Sequence, residues 1–84
     1  MNEQRRAERR PDTLPAMISF RDSRKSPTNL PCLVQDQSNE GARVMMREPH
    51  VVPFEFYFTL AGGKPRLGRK VWVKQNEMGL QFTG

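Results

Sequence analysis

The sequence predicts an all-β protein, a small six-stranded antiparallel barrel preceded by a flexible basic N-terminal arm, and three observations predict it. From Leu14 onward, large apolar side chains fall on alternate positions in several short runs, the period of a strand with one buried face. Residues rich in turn chemistry (Gly, Pro, Asn, Asp, Ser) separate these runs, and no run has the spacing of an amphipathic helix. A chain of 84 residues is long enough for one domain and too short for two stacked sheets of any size. Closing one sheet on itself then buries one face and removes exposed edges.

The first segment, residues 1–13, carries Arg5, Arg6, Arg9 and Arg10 interleaved with Glu3 and Glu8, and nothing in it can anchor a core. It is expected to be a solvated arm unless a ligand ties it down. Residues 14–84 form the barrel. Leu14, Ala16, Ile18 and Phe20 mark the first strand, and the polar run from Arg21 to Asn29 is turn chemistry. Leu30, Cys32 and Val34 resume the alternation as a second strand, interrupted from Asp36 to Gly41. A third short strand spans Ala42 to Met46, with Val44 and Met46 on one face. The strongest signal is Phe54 to Leu60, where Phe54, Phe56, Phe58 and Leu60 are expected to face the core. Gly62-Gly63 suits a tight turn into the strand of Arg66 to Lys74, in which Val71 and Val73 are expected to face in and Trp72 out. Gln75 to Glu77 makes a second hairpin into Met78, Leu80 and Phe82.

Composition narrows the functional class. One cysteine, Cys32, and one histidine, His50, supply neither an internal disulfide nor a structural zinc site, so no metal is expected and Cys32 is read as core. No run approaches the roughly 20 apolar residues of a membrane span, and the N-terminus lacks a signal-peptide stretch, so the expected setting is cytoplasmic, without membrane insertion. The net charge of +5 favours an anionic partner. Catalysis has little support: Ser38 has no suggestively placed histidine base, no carboxylate pair stands in an apolar context, and no phosphate loop with Lys-Ser/Thr is present. The chain reads as a binding module, not an enzyme.

Two features carry the binding chemistry. Arg5 to Arg10 contains the Arg-x-x-x-Arg spacing in two registers, Arg5 with Arg9 and Arg6 with Arg10. Asp36-x-Ser38-x-x-Gly41 lies between two strands. A guanidinium fork meets phosphodiester oxygens or the O6/N7 edge of guanine. A carboxylate at Asp36 accepts from guanine N1–H and N2–H, Ser38 adds a hydroxyl, and Gly41 lets the backbone turn sharply and leaves room for a base. Taken singly, each feature has an ordinary explanation. Terminal arginines are commonly a solvated arm, and Asp-x-Ser-x-x-Gly is commonly a turn whose side chains bond nearby amides.

Together, in this order and among these strands, they resemble the PilZ domain family over nearly the whole chain. In that family an Arg-x-x-x-Arg arm precedes the first barrel strand and an (Asp/Asn)-x-Ser-x-x-Gly motif sits on the barrel surface. The ending, Val71-Trp-Val73 followed by Met78-Gly-Leu-Gln-Phe82, is similar to the closing hairpin of PilZ domains. The resemblance implies a bacterial receptor for the second messenger cyclic di-GMP, clamped between Arg5, Arg6, Arg9 and Arg10 and the turn of Asp36, Ser38 and Gly41. It implies no cofactor beyond that ligand, and a signal relayed to a downstream protein effector through a changed surface. Which arginine register acts stays open, with Arg5 and Arg9 slightly preferred. Many PilZ domains also end in a helix that packs on the barrel, whereas this sequence stops at Gly84, so either a monomer or a weak homodimer is compatible with it.

Two other readings compete. One is a basic OB-like barrel for RNA or single-stranded nucleic acid, disfavoured because most aromatics fall on core positions and leave Tyr57 and Trp72 for stacking. The other is a PilZ-like adaptor working through protein contacts alone, which has no need of Asp36, Ser38 and Gly41 in combination. Trp72 is read as a surface aromatic packed under a lysine stem ahead of a base contact, and His50 as a loop residue.

Overall fold

In the computed structural model of the chain, residues 14–83 are described. The arm of residues 1–13, with Arg5, Arg6, Arg9 and Arg10, lies outside them. The alternation beginning at Leu14 builds β1 (Leu14–Arg21), which sends Ala16 and Ile18 inward and Met17 outward. In β2 (Pro27–Gln37) Cys32 and Val34 are the buried pair, and in β3 (Gly41–Met45) it is Val44. Phe56 and Phe58 of β4 (Glu55–Leu60) meet Met78 and Leu80 of β6 (Glu77–Phe82) in the same core, with β5 (Arg66–Lys74) between those two strands in the sheet. The strand order β1-β2-β3-β6-β5-β4 closes on β1, and every neighbouring pair is antiparallel. This is the six-stranded barrel expected from the alternation. Among the described residues no helix is long and apolar enough to cross a membrane.

The turns follow from local chemistry. The Asp22 carboxylate accepts from the backbone N–H of Arg24 and Ser26, 2.9 Å each, and so closes the β1–β2 loop. Gly62, at φ 80°, supplies the left-handed residue between β4 and β5. Gln75, at φ 57°, does the same for the two-residue β5–β6 connection, although it is not glycine. The neighbouring Asn76 donates its side-chain amide to the Arg47 carbonyl at 3.2 Å, which ties that hairpin to the segment after β3.

Several expectations are corrected. The second strand starts at Pro27 rather than near Leu30, because β1 pairs with it from Pro27 to Val34 and overrides the turn propensity of Pro27 to Asn29, and it runs on through Asp36 and Gln37, which pair with Arg43 and Ala42 of β3. β3 reaches only Leu33 to Gln37 of this long strand, so Pro27 and Pro31 lie in the half that β3 does not cover, where a missing N–H is tolerated. Phe54 is not core: the β4–β5 ladder begins at Glu55 opposite Arg69, and Phe54, one residue outside it, is 61% exposed. Val71 is not core either, at 59% exposed, because the register of β5 shifts between Lys70 and Trp72. Val73 is also exposed, while Trp72 does face outward. Conversely, the segment expected as a simple loop around His50 forms a single 3-10 turn, Pro49–Val51, and buries Pro49 and Val52 against the core. His50 itself stays exposed.

Candidate ligand-binding site

The site is built by an irregularity in β2. Val34 stands opposite Val44 with both side chains in the core, yet the next pair is Asp36 opposite Arg43, so Gln35 has no partner on β3. This is a β-bulge, which inserts one residue and re-aims those beyond it. Asp36 has the same odd-even phase as Cys32 and Val34, and unbroken alternation would drive its carboxylate into the core. The bulge instead sets it outside, level with Arg43.

The same level continues across two more strands. Arg43 pairs with Gly79, and Gly79 pairs with Trp72, whose outward position follows from the second bulge, between Lys70 and Trp72. A Cβ at Gly79 would collide with the indole ring, so glycine there lets Trp72 lie flat over the strand. The result is a transverse row on the outer surface: an acceptor at Asp36, a cation at Arg43 and an aromatic ring at Trp72. Beside it, Gly41 pairs with Gln81 and Gln81 with Arg69, and the Arg69 guanidinium reaches the Gln81 side-chain oxygen at 3.5 Å.

The Ser38–Gly41 hairpin closes the row at one end. Ser38 N–H donates to the Gly41 carbonyl at 2.9 Å, and the Ser38 hydroxyl accepts from Glu40 N–H at 3.1 Å. Phe82 N–H donates to the Glu40 carbonyl at 2.8 Å, which anchors the hairpin to β6. The motif thus splits into parts with different duties. Ser38 is held by its own turn, as the ordinary reading of the motif has it, and its hydroxyl keeps a donor proton to offer outward. Gly41 is needed for a reason other than the turn freedom expected: its backbone is not left-handed, and a Cβ there would strike the Leu80 carbonyl oxygen across the ladder. Among the described residues, none donates a hydrogen bond to the Asp36 carboxylate, which is exposed.

Asp36, Ser38, Glu40, Arg43 and Gln81 line an open depression of about 300 Å³. The arm joins the barrel beside it. Leu14, the first residue of β1, pairs with Val34, next to the bulge that presents Asp36. Asp36, Ser38 and Gly41 are therefore brought together, while Arg5, Arg6, Arg9 and Arg10 lie outside the described residues. Sequence reasoning missed Arg43 and Gln81, and placed Trp72 outward without finding its neighbours. One signal was available: an aspartate in phase with Cys32 and Val34 is a carboxylate in a core position, which itself implies a register shift. Among the described residues no group of three or more His, Cys, Asp or Glu side chains could hold a metal ion. No family model matches the chain, and neither a curated protein nor a solved structure matches it.

Proposed function

We propose that this protein is a PilZ-like receptor for cyclic di-GMP, a binding module that clamps the dinucleotide between its arginine arm and the outer row of Asp36, Arg43 and Trp72 beside the Ser38–Gly41 hairpin. The observation that carries this reading is the pairing of Leu14 with Val34, since it attaches the arm next to Asp36. At about 3.5 Å per extended residue, the covalent chain would allow Arg10 up to roughly 14 Å and Arg5 up to roughly 32 Å from Leu14.

Each group has work suited to the ligand. The guanidinium forks of Arg5, Arg6, Arg9 and Arg10 pair with phosphate oxygens and with guanine O6 and N7. The Asp36 carboxylate accepts from guanine N1–H and N2–H, which no arginine can do. The Trp72 face offers a base a stacking platform, and Arg43 adds a fixed positive charge to the depression. Ordering the arm costs conformational entropy, which the charge-assisted bonds must exceed, so binding and ordering occur together. The ordered arm then presents a new surface to a downstream protein.

Calorimetric titration of the full chain with cyclic di-GMP, with GTP as control, tests the reading. Saturable binding of the dinucleotide and none of GTP is expected. Replacing Arg5, Arg6, Arg9 and Arg10 together with alanine abolishes binding while the circular dichroism of the barrel is retained, and Asp36→Ala weakens it about tenfold or more. Unchanged affinity in the quadruple variant overturns the proposal, as does equal binding of an unrelated single-stranded oligonucleotide with a steep salt dependence.

A further inference from the structure

The outside of β1, β2 and β3 carries a second feature unlike the polar row. Pro15 pairs with Leu33 and Met17 with Pro31, while Leu33 pairs in turn with Met45. All face outward, and Met17, Leu33 and Met45 remain 37–43% exposed. They line a shallow groove of about 540 Å³ together with Arg47 and Asn76. Contiguous apolar surface of this kind on a small chain marks a contact site, and methionine adapts to irregular partners.

The form of the occupant follows from the sheet. Strand addition needs a free edge, and beside this groove the ladders leave one where β3 does not cover the Pro27–Pro31 half of β2, a stretch interrupted by two prolines. A partner must therefore bring side chains. From β1 to β3 is two interstrand spacings, about 10 Å, which matches the width of one α-helix.

Charge decides between a second copy and a different protein. Arg43 shares the outward face of Met45 two residues away, and Arg47 lines the groove itself. The carboxylate opposite Met45, Glu77, is faced on its other side by Lys74. Glu48 lies in the adjoining cavity under Pro31. The chain as a whole carries +5, so two copies repel. We propose that this face docks an amphipathic helix of a partner protein, apolar along one stripe and bordered by carboxylates that meet Arg43 and Arg47. The proposal goes beyond dinucleotide binding and does not depend on it.

The test uses the full chain with methionine methyl groups labelled by carbon-13, titrated with a synthetic helical peptide of about 18 residues, leucines along one stripe and glutamates on its borders. Saturable shifts at the Met17 and Met45 methyls are expected, with the fully buried Met78 unmoved as an internal control. The same peptide with lysine in place of glutamate binds about tenfold more weakly, and Leu33→Glu removes binding in a protein whose amide spectrum shows it folded. Four outcomes overturn the proposal: no shift at millimolar peptide, equal binding of the two peptides, shifts centred away from Met17 and Met45, or self-association of the free chain that Leu33→Glu abolishes.

Discussion

Two faces of the same barrel wall are built by opposite rules. On the face of Met17, Leu33 and Met45 the strands alternate without interruption, and every odd-numbered residue there points out. On the face of Asp36, Arg43 and Trp72, two bulges change the phase, one after Val34 and one after Lys70. The regular face is apolar and preserves its register through packing, whereas the bulged face is polar and carries groups whose placement costs the strands their regularity. A bulge is a device for aiming a side chain, and both bulges here aim toward one transverse row. Ligand chemistry is concentrated where alternation fails.

Deletions break this contrast most directly. Removing Gln35 excises the unpaired residue and leaves Val34 opposite Val44 and Asp36 opposite Arg43, so the protein is expected to fold at a cost of about 1 kcal/mol. Removing Leu33, two positions earlier, slips the regular half of β2 by one residue and turns its core side chains outward, and this variant is expected not to fold. Urea titration followed by circular dichroism distinguishes them. A folded Leu33 deletion with an unfolded Gln35 deletion would reverse the assignment of which half of β2 is bulged.

A smaller contrast lies within one aromatic run. Phe58 is fully enclosed, with its ring 5.6 Å from that of Phe82, while Phe54 stands outside the ladder. Phe58→Ala should cost about 3–5 kcal/mol in urea unfolding, and Phe54→Ala should stay within about 0.5 kcal/mol. Equal losses would mean that Phe54 packs in solution.

The smallest expected effect concerns Cys32, on the inner side of the apolar face. Burial pushes its thiol up from 9.0 to about 11. The folded state therefore favours the neutral thiol, so its contribution is fully present below pH 9.0 and is lost as pH rises from there through about 11. A modest fall in the urea midpoint over that window is expected, and it should vanish in Cys32→Ala. Ellman's reagent at pH 8 should label the unfolded chain promptly and the folded chain slowly.

The strands whose alternation is unbroken were legible: Ala16 and Ile18, Cys32 and Val34, Phe56 and Phe58, Met78 and Leu80 are all in the core where a period of two puts them. Asp36, Ser38 and Gly41 were legible as a cluster because they are local in sequence. Arg43 and Gln81 were not, because strand neighbours are set by pairing partners far along the chain. Phe54 and Val71 were misread for one reason: periodicity says which side a residue faces but not where the ladder starts or slips.

The residue order alone determined an all-β chain of six strands, with a basic arm ahead of it, because apolar period and turn residues act over a few neighbours. Only the tertiary structure decided that Asp36 points outward, that Trp72 rests on Gly79 and that Leu14 starts beside the bulge. Those facts depend on which strand lies next to which, and on the residue at which each ladder slips. Hydrogen bonds between distant segments fix both.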